Sequence, residues 1–206
     1  MKLLGRNLSP YTRRVAIAMN ILGVPHERIY LSPWQEAQAK DIRAANPLTR
    51  VPIMVLDDGE TLIESGAMLD HLMEGAGPEK ALIPAQGKDR RACLRIMATG
   101  TGVLDKGVAA FYERTKRPAE KVHQPWHDHL ASQVTGGLKA LEALPMTPWF
   151  LGGRMTMADV TAAVAITFLG KTNPALVAPG AFPKLEALAA RCEAMPAFKS
   201  SPLETP

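Results

Sequence analysis

Hydrophobic positions change their spacing once along this 206-residue chain, near residue 87. Before that point short apolar runs alternate with stretches of helical periodicity; after it only the helical spacing continues. Lys2–Leu4 predicts a strand, and Val15, Met19 and Leu22 then fall on one face of a helix. Gly23 stands where a C-terminal cap belongs, and Pro25 prevents continuation. Ile29 and Leu31 alternate with polar neighbours as in a half-buried strand. Ser32-Pro33-Trp34-Gln35 has the form of a capping box, predicting a helix from there to about Ala45. Ile53–Leu56 predicts a strand joined through Asp57-Asp58-Gly59 to a partner at Thr61–Ile63, and a helix follows over Ser65–Glu74. The predicted order is βαβαββα.

From Lys88 onward, stretches rich in Ala, Leu, Met, Lys and Glu predict helices, interrupted at Arg117-Pro118, Leu144-Pro145 and Pro179-Gly180. The reading is therefore an α/β domain over 1–76, a linker over 77–87 and an all-α domain over 88–206. No repeat or low-complexity tract interrupts it.

Composition narrows the class without changing this picture. With 47% hydrophobic and 21% charged residues the chain can build a core, which excludes disordered and collagen-like proteins. Two cysteines, Cys93 and Cys192, support neither a disulfide framework nor a zinc site. The apolar part of the first residues is too short for a signal peptide, and the longest apolar stretch, near Val160–Leu169, is about half a membrane span. A cytoplasmic protein with no membrane partner is expected. Net charge is +4, but the basic groups (Arg13-Arg14, Lys88 to Arg95, Arg114 to Lys121) are scattered and aromatics make up only 5% of the chain. A surface that favours small anions fits this better than a nucleic-acid groove.

The usual phosphate and esterase motifs, G-x-G-x-x-G, the P-loop and G-x-S-x-G, are absent. His123, His127 and His129 lack a carboxylate in metalloprotease position and read as a solvated helix face, so no metal is expected. Three segments carry more. Ser9-Pro10-Tyr11-Thr12-Arg13-Arg14-Val15 lies between a strand end and a helix start, a place that favours an anion. Ser9 with Pro10 also reads simply as an N-cap followed by proline at the first turn. Asn46-Pro47-Leu48-Thr49-Arg50-Val51-Pro52 is, alone, a loop before a strand. Glu64-Ser65 opens a helix, where Ser65 can be only a cap, while Glu64 follows Leu62-Ile63 and so lies near buried surface.

Taken together these segments resemble the glutathione transferase family, in its serine-type (theta/zeta/tau-like, bacterial) classes. Asn-Pro-x-x-x-Val-Pro, the Glu-Ser pair about twelve residues on, and Ser-Pro-aromatic-x-x-Arg-Val keep the family's order and spacing. Phe150 through Val160 adds the family's capping box, Thr156 with Asp159, flanked by Met155 and Val160 as a hydrophobic staple. Phe182-Pro183-Lys184-Leu185 through Met195-Pro196-Ala197-Phe198 is similar to the family's last helices. The resemblance implies a thioredoxin-like domain that holds glutathione, a helical domain that completes an electrophile pocket, and a homodimer.

It also implies roles. Ser9 would face the glutathione sulfur, with the neighbouring hydroxyls of Tyr11 and Thr12 as alternatives. Val51 would offer its backbone to the cysteinyl part, before a cis Val51–Pro52 bond. Arg50 would flank the tripeptide, and Glu64 and Ser65 would hold its γ-glutamyl end. Tyr11, Phe111 and Tyr112 would line the electrophile pocket. Only the thiolate is a useful nucleophile, and a free thiol has a pKa of about 8.5. A hydroxyl donor to the charged sulfur (about 1.5–3 kcal/mol) and a helix N-terminus (about 0.3–1 kcal/mol) would together lower that pKa by roughly one to three. The implied activity is addition of this thiolate to electrophilic, hydrophobic small molecules. The relatives also include isomerases, dehalogenases and non-enzymatic regulators. Position 9 is not cysteine, and the Ser-Ser-Cys start typical of the maleylacetoacetate isomerase branch is missing.

One expectation concerns assembly. Gly100 and Gly102 lie within the predicted first long helix of the second domain, where each glycine costs about 1 kcal/mol relative to alanine. They mark either a bend or close approach of a second surface, and the family's dimer places this helix beside its partner.

Overall fold

The computed structural model describes residues 1–205. It divides into two compact units, Met1–Ala85 with Met195–Thr205, and Gln86–Ala194.

The first unit holds a four-stranded sheet of order β2-β1-β3-β4, formed by β1 (Lys2–Leu4), β2 (Glu27–Ile29), β3 (Ile53–Val55) and β4 (Thr61–Ile63). β1 and β2 are parallel, joined by α1 (Pro10–Leu22); β3 is antiparallel to both β1 and β4. With α2 (Glu36–Ala45) and α3 (Ser65–Lys80) this is the expected βαβαββα thioredoxin-like order. α1 packs on α3, and its buried Val15, Ala16, Ile17, Ala18 and Met19 face the interior. Gly23 ends α1 in the left-handed region (φ 67°), where a side chain would be disfavoured, as its position in the sequence predicts.

Three boundaries differ from expectation. β2 ends at Ile29, and Leu31 instead packs partly buried against Leu4, Ile42 and Ile53. α2 begins at Glu36, not at Ser32-Pro33. Residues 32–35 form a turn closed by the Gln35 N–H on the Ser32 carbonyl (3.2 Å), and Gln38 Oε1 accepts the Ser32 N–H (2.8 Å). Ser32 therefore organises the approach to the helix, one turn early. α3 runs past Glu74 to Lys80, with a break at Gly77 (φ 72°) before Pro78.

The division into units also departs from the expected 1–76, 77–87 and 88–206. Residues 77–85 stay with the first unit, and so does Met195–Thr205. The latter docks through α8 (Pro196–Lys199): Phe198 is fully buried, and the Arg13 guanidinium lies 5.8 Å from its ring centre. Arg13 and Arg14, expected on a cationic surface, are both buried.

The second unit is built from α4 (Gly87–Thr115), α5 (Gln124–Glu142), α6 (Met157–Thr172) and α7 (Pro183–Glu193), with 3-10 turns at Ala119–Lys121 and Pro174–Val177. α6 is apolar nearly all round, buried along its length, and packs on α4 and α7. The capping box at its start is present as expected. Asp159 Oδ2 accepts the Thr156 N–H (2.8 Å) and hydroxyl (2.9 Å), and Oδ1 accepts the Phe150 N–H (2.9 Å). Met155 and Val160 are buried beside it.

α4 is continuous through both glycines. A Cβ on Gly100 would lie 3.0 Å from Thr161 Cγ2 on α6, so its missing side chain admits a helix of the same unit. A Cβ on Gly102 would meet nothing within 4 Å. The expected approach of a partner's helix is thus not what Gly100 accommodates.

Candidate functional site

Register gathers the site. Leu4, Ile53 and Ile63 lie side by side across β1, β3 and β4. Because β3 is antiparallel to both neighbours, the residue after Leu4, the residue before Ile53 and the residue after Ile63 all leave the sheet at the same end. Those residues are Gly5, Pro52 and Glu64. Gly5 (φ 130°) shows how tight the junction is, since a Cβ there would lie 2.7 Å from Thr12 Oγ1 and 2.9 Å from Val51 Cβ. Glycine is required on both counts.

Ser9 is the N-cap of α1, half-buried, and its Oγ accepts the Thr12 N–H at 3.3 Å. The hydroxyl hydrogen remains available to a ligand. No acidic residue lies in the first turn of α1, so its own carboxylates do not offset the positive end of the helix dipole. Tyr11 is half-buried, whereas Thr12 is fully buried with its hydroxyl against Gly5. The buried Thr12 hydroxyl has no hydrogen-bond partner among the described residues.

The Val51–Pro52 bond is cis, as expected, and Thr147–Pro148 is cis as well. Asn46 shapes the loop that presents Val51. It is buried, its Nδ2 donates to the Arg50 carbonyl (2.9 Å), and its Oδ1 accepts the Leu48 N–H (3.0 Å).

Glu64 and Ser65 open α3 in contrasting ways. Glu64 has φ 70° and ψ 123°, a left-handed backbone that costs a non-glycine residue about 1–3 kcal/mol. Its side chain is 58% exposed and lies 3.3 Å from Arg50 Nη1, itself 55% exposed. The expectation that Glu64 sits near buried surface is thus corrected: the backbone turn carries its carboxylate outward. An ion pair so exposed contributes less than about 1 kcal/mol, which leaves both groups free to exchange partners.

Ser65 is 2% exposed. Its Oγ accepts two bonds from the buried Arg14, at 2.7 Å from Nη2 and 3.2 Å from Nε. With its acceptor capacity taken by a cation, the Ser65 hydroxyl is polarised to donate. The first turn of α3 likewise holds no acid, so its free backbone N–H groups add to an anion site. Arg14, which stands behind Ser65, has no role in the reading of the sequence. Its place in Ser-Pro-Tyr-x-x-Arg-Val was the available signal, obscured by the basic residue beside it.

Phe111 and Tyr112 lie on α4 in the helical unit, both half-buried, with ring centres 5.9 Å apart. His127 is partly buried there, and its ring nitrogens have no hydrogen-bond partner. Among the described residues no group of three or more His, Cys, Asp or Glu is placed to hold a metal ion, and no helix is long and apolar enough to cross a membrane. Both thiols are buried; burial pushes Cys93 up and Cys192 up to about 12, so neither is a nucleophile at neutral pH.

Comparison with known proteins bears on the same segments. The glutathione S-transferase N-terminal domain pattern matches residues 3–80, and the C-terminal domain pattern matches residues 124–191. A maleylacetoacetate isomerase of Pseudomonas aeruginosa is 29% identical over 98% of this chain and 95% of its own. A maleylpyruvate isomerase of a Ralstonia species is 31% identical over 70% of this chain and 68% of its own. Among solved structures, a glutathione S-transferase of Methylobacterium radiotolerans in complex with glutathione sulfonate superposes with a TM-score of 0.90 at 30% identity, covering 97% of this chain and 93% of that one. A family member from Pseudomonas fluorescens with bound glutathione gives 0.86 at 27% identity, covering 100% and 98%.

Proposed function

The chain belongs to the glutathione transferase family, and from that premise we propose that it is a glutathione-dependent enzyme that adds the glutathione thiolate to electrophilic, mostly apolar small molecules. The observation that carries this is the convergence of the Ser9 hydroxyl, the Val51–Pro52 turn and the Arg14-polarised Ser65 at one end of the sheet, beside two helices whose first turns hold no acidic residue. Glutathione is an anionic thiol, and this arrangement offers groups suited to its sulfur, its cysteinyl backbone and its γ-glutamyl end.

In this reading the Ser9 hydroxyl donates to the sulfur and the start of α1 favours its negative charge, so no side chain need act as a base. Val51 pairs with the cysteinyl backbone. Ser65, backed by Arg14, donates to the γ-glutamyl carboxylate, and Glu64 turns from Arg50 to the γ-glutamyl ammonium. Arg50 stays beside the tripeptide as a balancing cation. Tyr11 supplies apolar contact for the electrophile. The protein works as a homodimer in the cytoplasm, without metal.

A second reading is isomerisation, favoured by the two isomerase relatives. A thiolate that adds to a conjugated double bond allows rotation and then departs, leaving glutathione unchanged. The two are separated by thiol consumption. Conjugation of an aryl halide removes free thiol in step with product, while isomerisation of maleylpyruvate changes substrate absorbance at constant thiol. Retention on immobilised glutathione tests the shared premise. Retention with neither turnover favours a non-enzymatic binding protein, and no retention overturns every glutathione-based reading.

A further inference from the structure

The segment Met195–Thr205 reaches back to the loop that carries Ser9. It is anchored on α1 first. The buried Ser201 accepts Arg13 Nε through its carbonyl at 2.8 Å and Asn20 Nδ2 through its hydroxyl at 3.0 Å. Asn20 Nδ2 also donates to the Ala197 carbonyl at 3.0 Å. Three residues past Ser201, the Glu204 carboxylate closes on the β1–α1 loop. Its Oε1 accepts the Asn7 backbone N–H at 2.7 Å, and its Oε2 accepts Arg6 Nε at 2.6 Å. Arg6 Nη2 donates to the Thr205 carbonyl at 3.1 Å.

The loop is gripped from its other side too. Asn7 is buried, its Oδ1 accepts Arg28 Nη2 at 2.8 Å, and the same guanidinium nitrogen donates to the Gly5 carbonyl at 3.2 Å. The Arg6 carbonyl in turn accepts the Ser9 N–H at 3.1 Å. Gly5 through Ser9 contains no helix or strand of its own, so these bonds are what fix its path.

We propose that Glu204 is a positioning residue for Ser9: by holding the Asn7 amide and the Arg6 guanidinium it fixes the loop from which the Ser9 hydroxyl reaches the glutathione sulfur. The proposal rests on the reading above that Ser9 faces that sulfur. Its sign is distinctive. A carboxylate near a thiolate acting through charge alone would raise the thiol pKa, so its removal would lower it. A carboxylate acting through position does the reverse, because a loosened hydroxyl stabilises the thiolate less.

The test compares wild type, Glu204→Ala and Glu204→Gln by ultraviolet titration of the glutathione thiolate bound to each, together with hydrogen exchange at the Asn7 and Ser9 amides. Glu204→Ala should raise the bound thiol pKa by about one, a tenfold smaller ratio of thiolate to thiol at any given pH, while glutathione affinity changes little. Exchange at Asn7 should quicken in the same variant. Glu204→Gln keeps an acceptor for the Asn7 amide without the charge and should recover most of both. A thiol pKa that falls or stays in Glu204→Ala overturns the proposal, as does a glutamine variant no better than alanine. If wild type shows no thiolate signal with glutathione, the Ser9 reading fails and the proposal with it; faster Asn7 exchange would then mark Glu204 as a loop clamp only.

Discussion

Asp159 in the helical unit and Ser65 in the sheet unit both stand in the first turn of a helix, and both are buried. Asp159 receives three donors from its own unit, two backbone N–H groups and one hydroxyl. Ser65 receives two from one guanidinium and keeps its own hydrogen to give. Around Asp159 the chain is relaxed and enclosed, while around Ser65 it turns through Glu64 at φ 70° and opens to solvent. A polar group whose bonds are completed internally stabilises a fold; one left with a donor beside exposed charge is available to a ligand. In the proposed function Asp159 serves the fold and Ser65 the ligand, and each side of the contrast can be broken separately.

The largest effect is expected at the closed site. Asp159→Ala leaves three donors unpartnered and removes the capping box, at a cost of about 3 kcal/mol. Urea denaturation measures this loss, and turnover per folded molecule should stay near wild type. A catalytic loss at undiminished stability would reverse the assignment of Asp159 to the fold.

Ser9→Ala probes the open site. Loss of a hydrogen bond to a charged sulfur should reduce turnover at neutral pH by about 10- to 100-fold, the equivalent of 1.5–3 kcal/mol. Glutathione affinity should change far less, because in the proposed function Val51, Glu64 and Ser65 hold most of the tripeptide. Stability should drop only by the value of an N-cap, about 1 kcal/mol. Unchanged turnover from about pH 6 to 9, on either side of the range in which a perturbed thiol titrates, would transfer the role to Tyr11 or Thr12.

Much of both sites was legible in the chain, and what was not has a common cause. The hairpin through Asp57-Asp58-Gly59, the cap at Gly23 and the box at Thr156 and Asp159 are local devices, complete within a few residues, and each formed where its residues stand. Ser32 misled because it does organise a turn, one helical turn before the helix itself. What Arg14, Gly100 and Glu204 meet was unreadable for a different reason. Their partners Ser65, Thr161 and Asn7 lie 51, 61 and 197 positions away in sequence, beyond anything that periodicity or spacing reports. The helical half resembles the other half in this respect: at Gly100, Gly107 and Gly137 a Cβ would crowd a neighbouring helix, a purpose only packing reveals.

Adjacent glycines on α5 sharpen that last point. A Cβ on Gly137 would collide with Val103 Cγ2 on α4, whose β-branched side chain is itself buried, whereas a Cβ on Gly136 would meet nothing within 4 Å. Gly137→Ala should therefore destabilise by about 1–3 kcal/mol through overpacking. Gly136→Ala should stabilise by up to about 1 kcal/mol through helix propensity alone. Thermal denaturation of the two variants should move in opposite directions. Equal shifts would mean that α4 and α5 are not packed at the distance described.

The smallest expected effect separates two carboxylates of the helical unit by pH. The His123 backbone N–H (3.1 Å), with Arg117 Nε (2.8 Å), holds the Glu113 carboxyl below its ordinary 4.5. Burial pushes Asp159 the other way, above its ordinary 3.8, despite its three donors. A lowered acid pKa means the unfolded chain binds the proton more readily, so the Glu113 contribution is complete above about pH 4.5 and is lost as pH falls through the folded value. A raised one means the folded chain binds the proton more readily, so stability from Asp159 declines as pH rises through the interval above 3.8. Glu113→Gln should accordingly be less stable than wild type at neutral pH by a constant margin that closes in acid below about 4.5. Urea midpoints taken across that range measure the margin. If it stays constant into acid, the His123 and Arg117 contacts act through shape alone, and the end of α4 is held without help from charge.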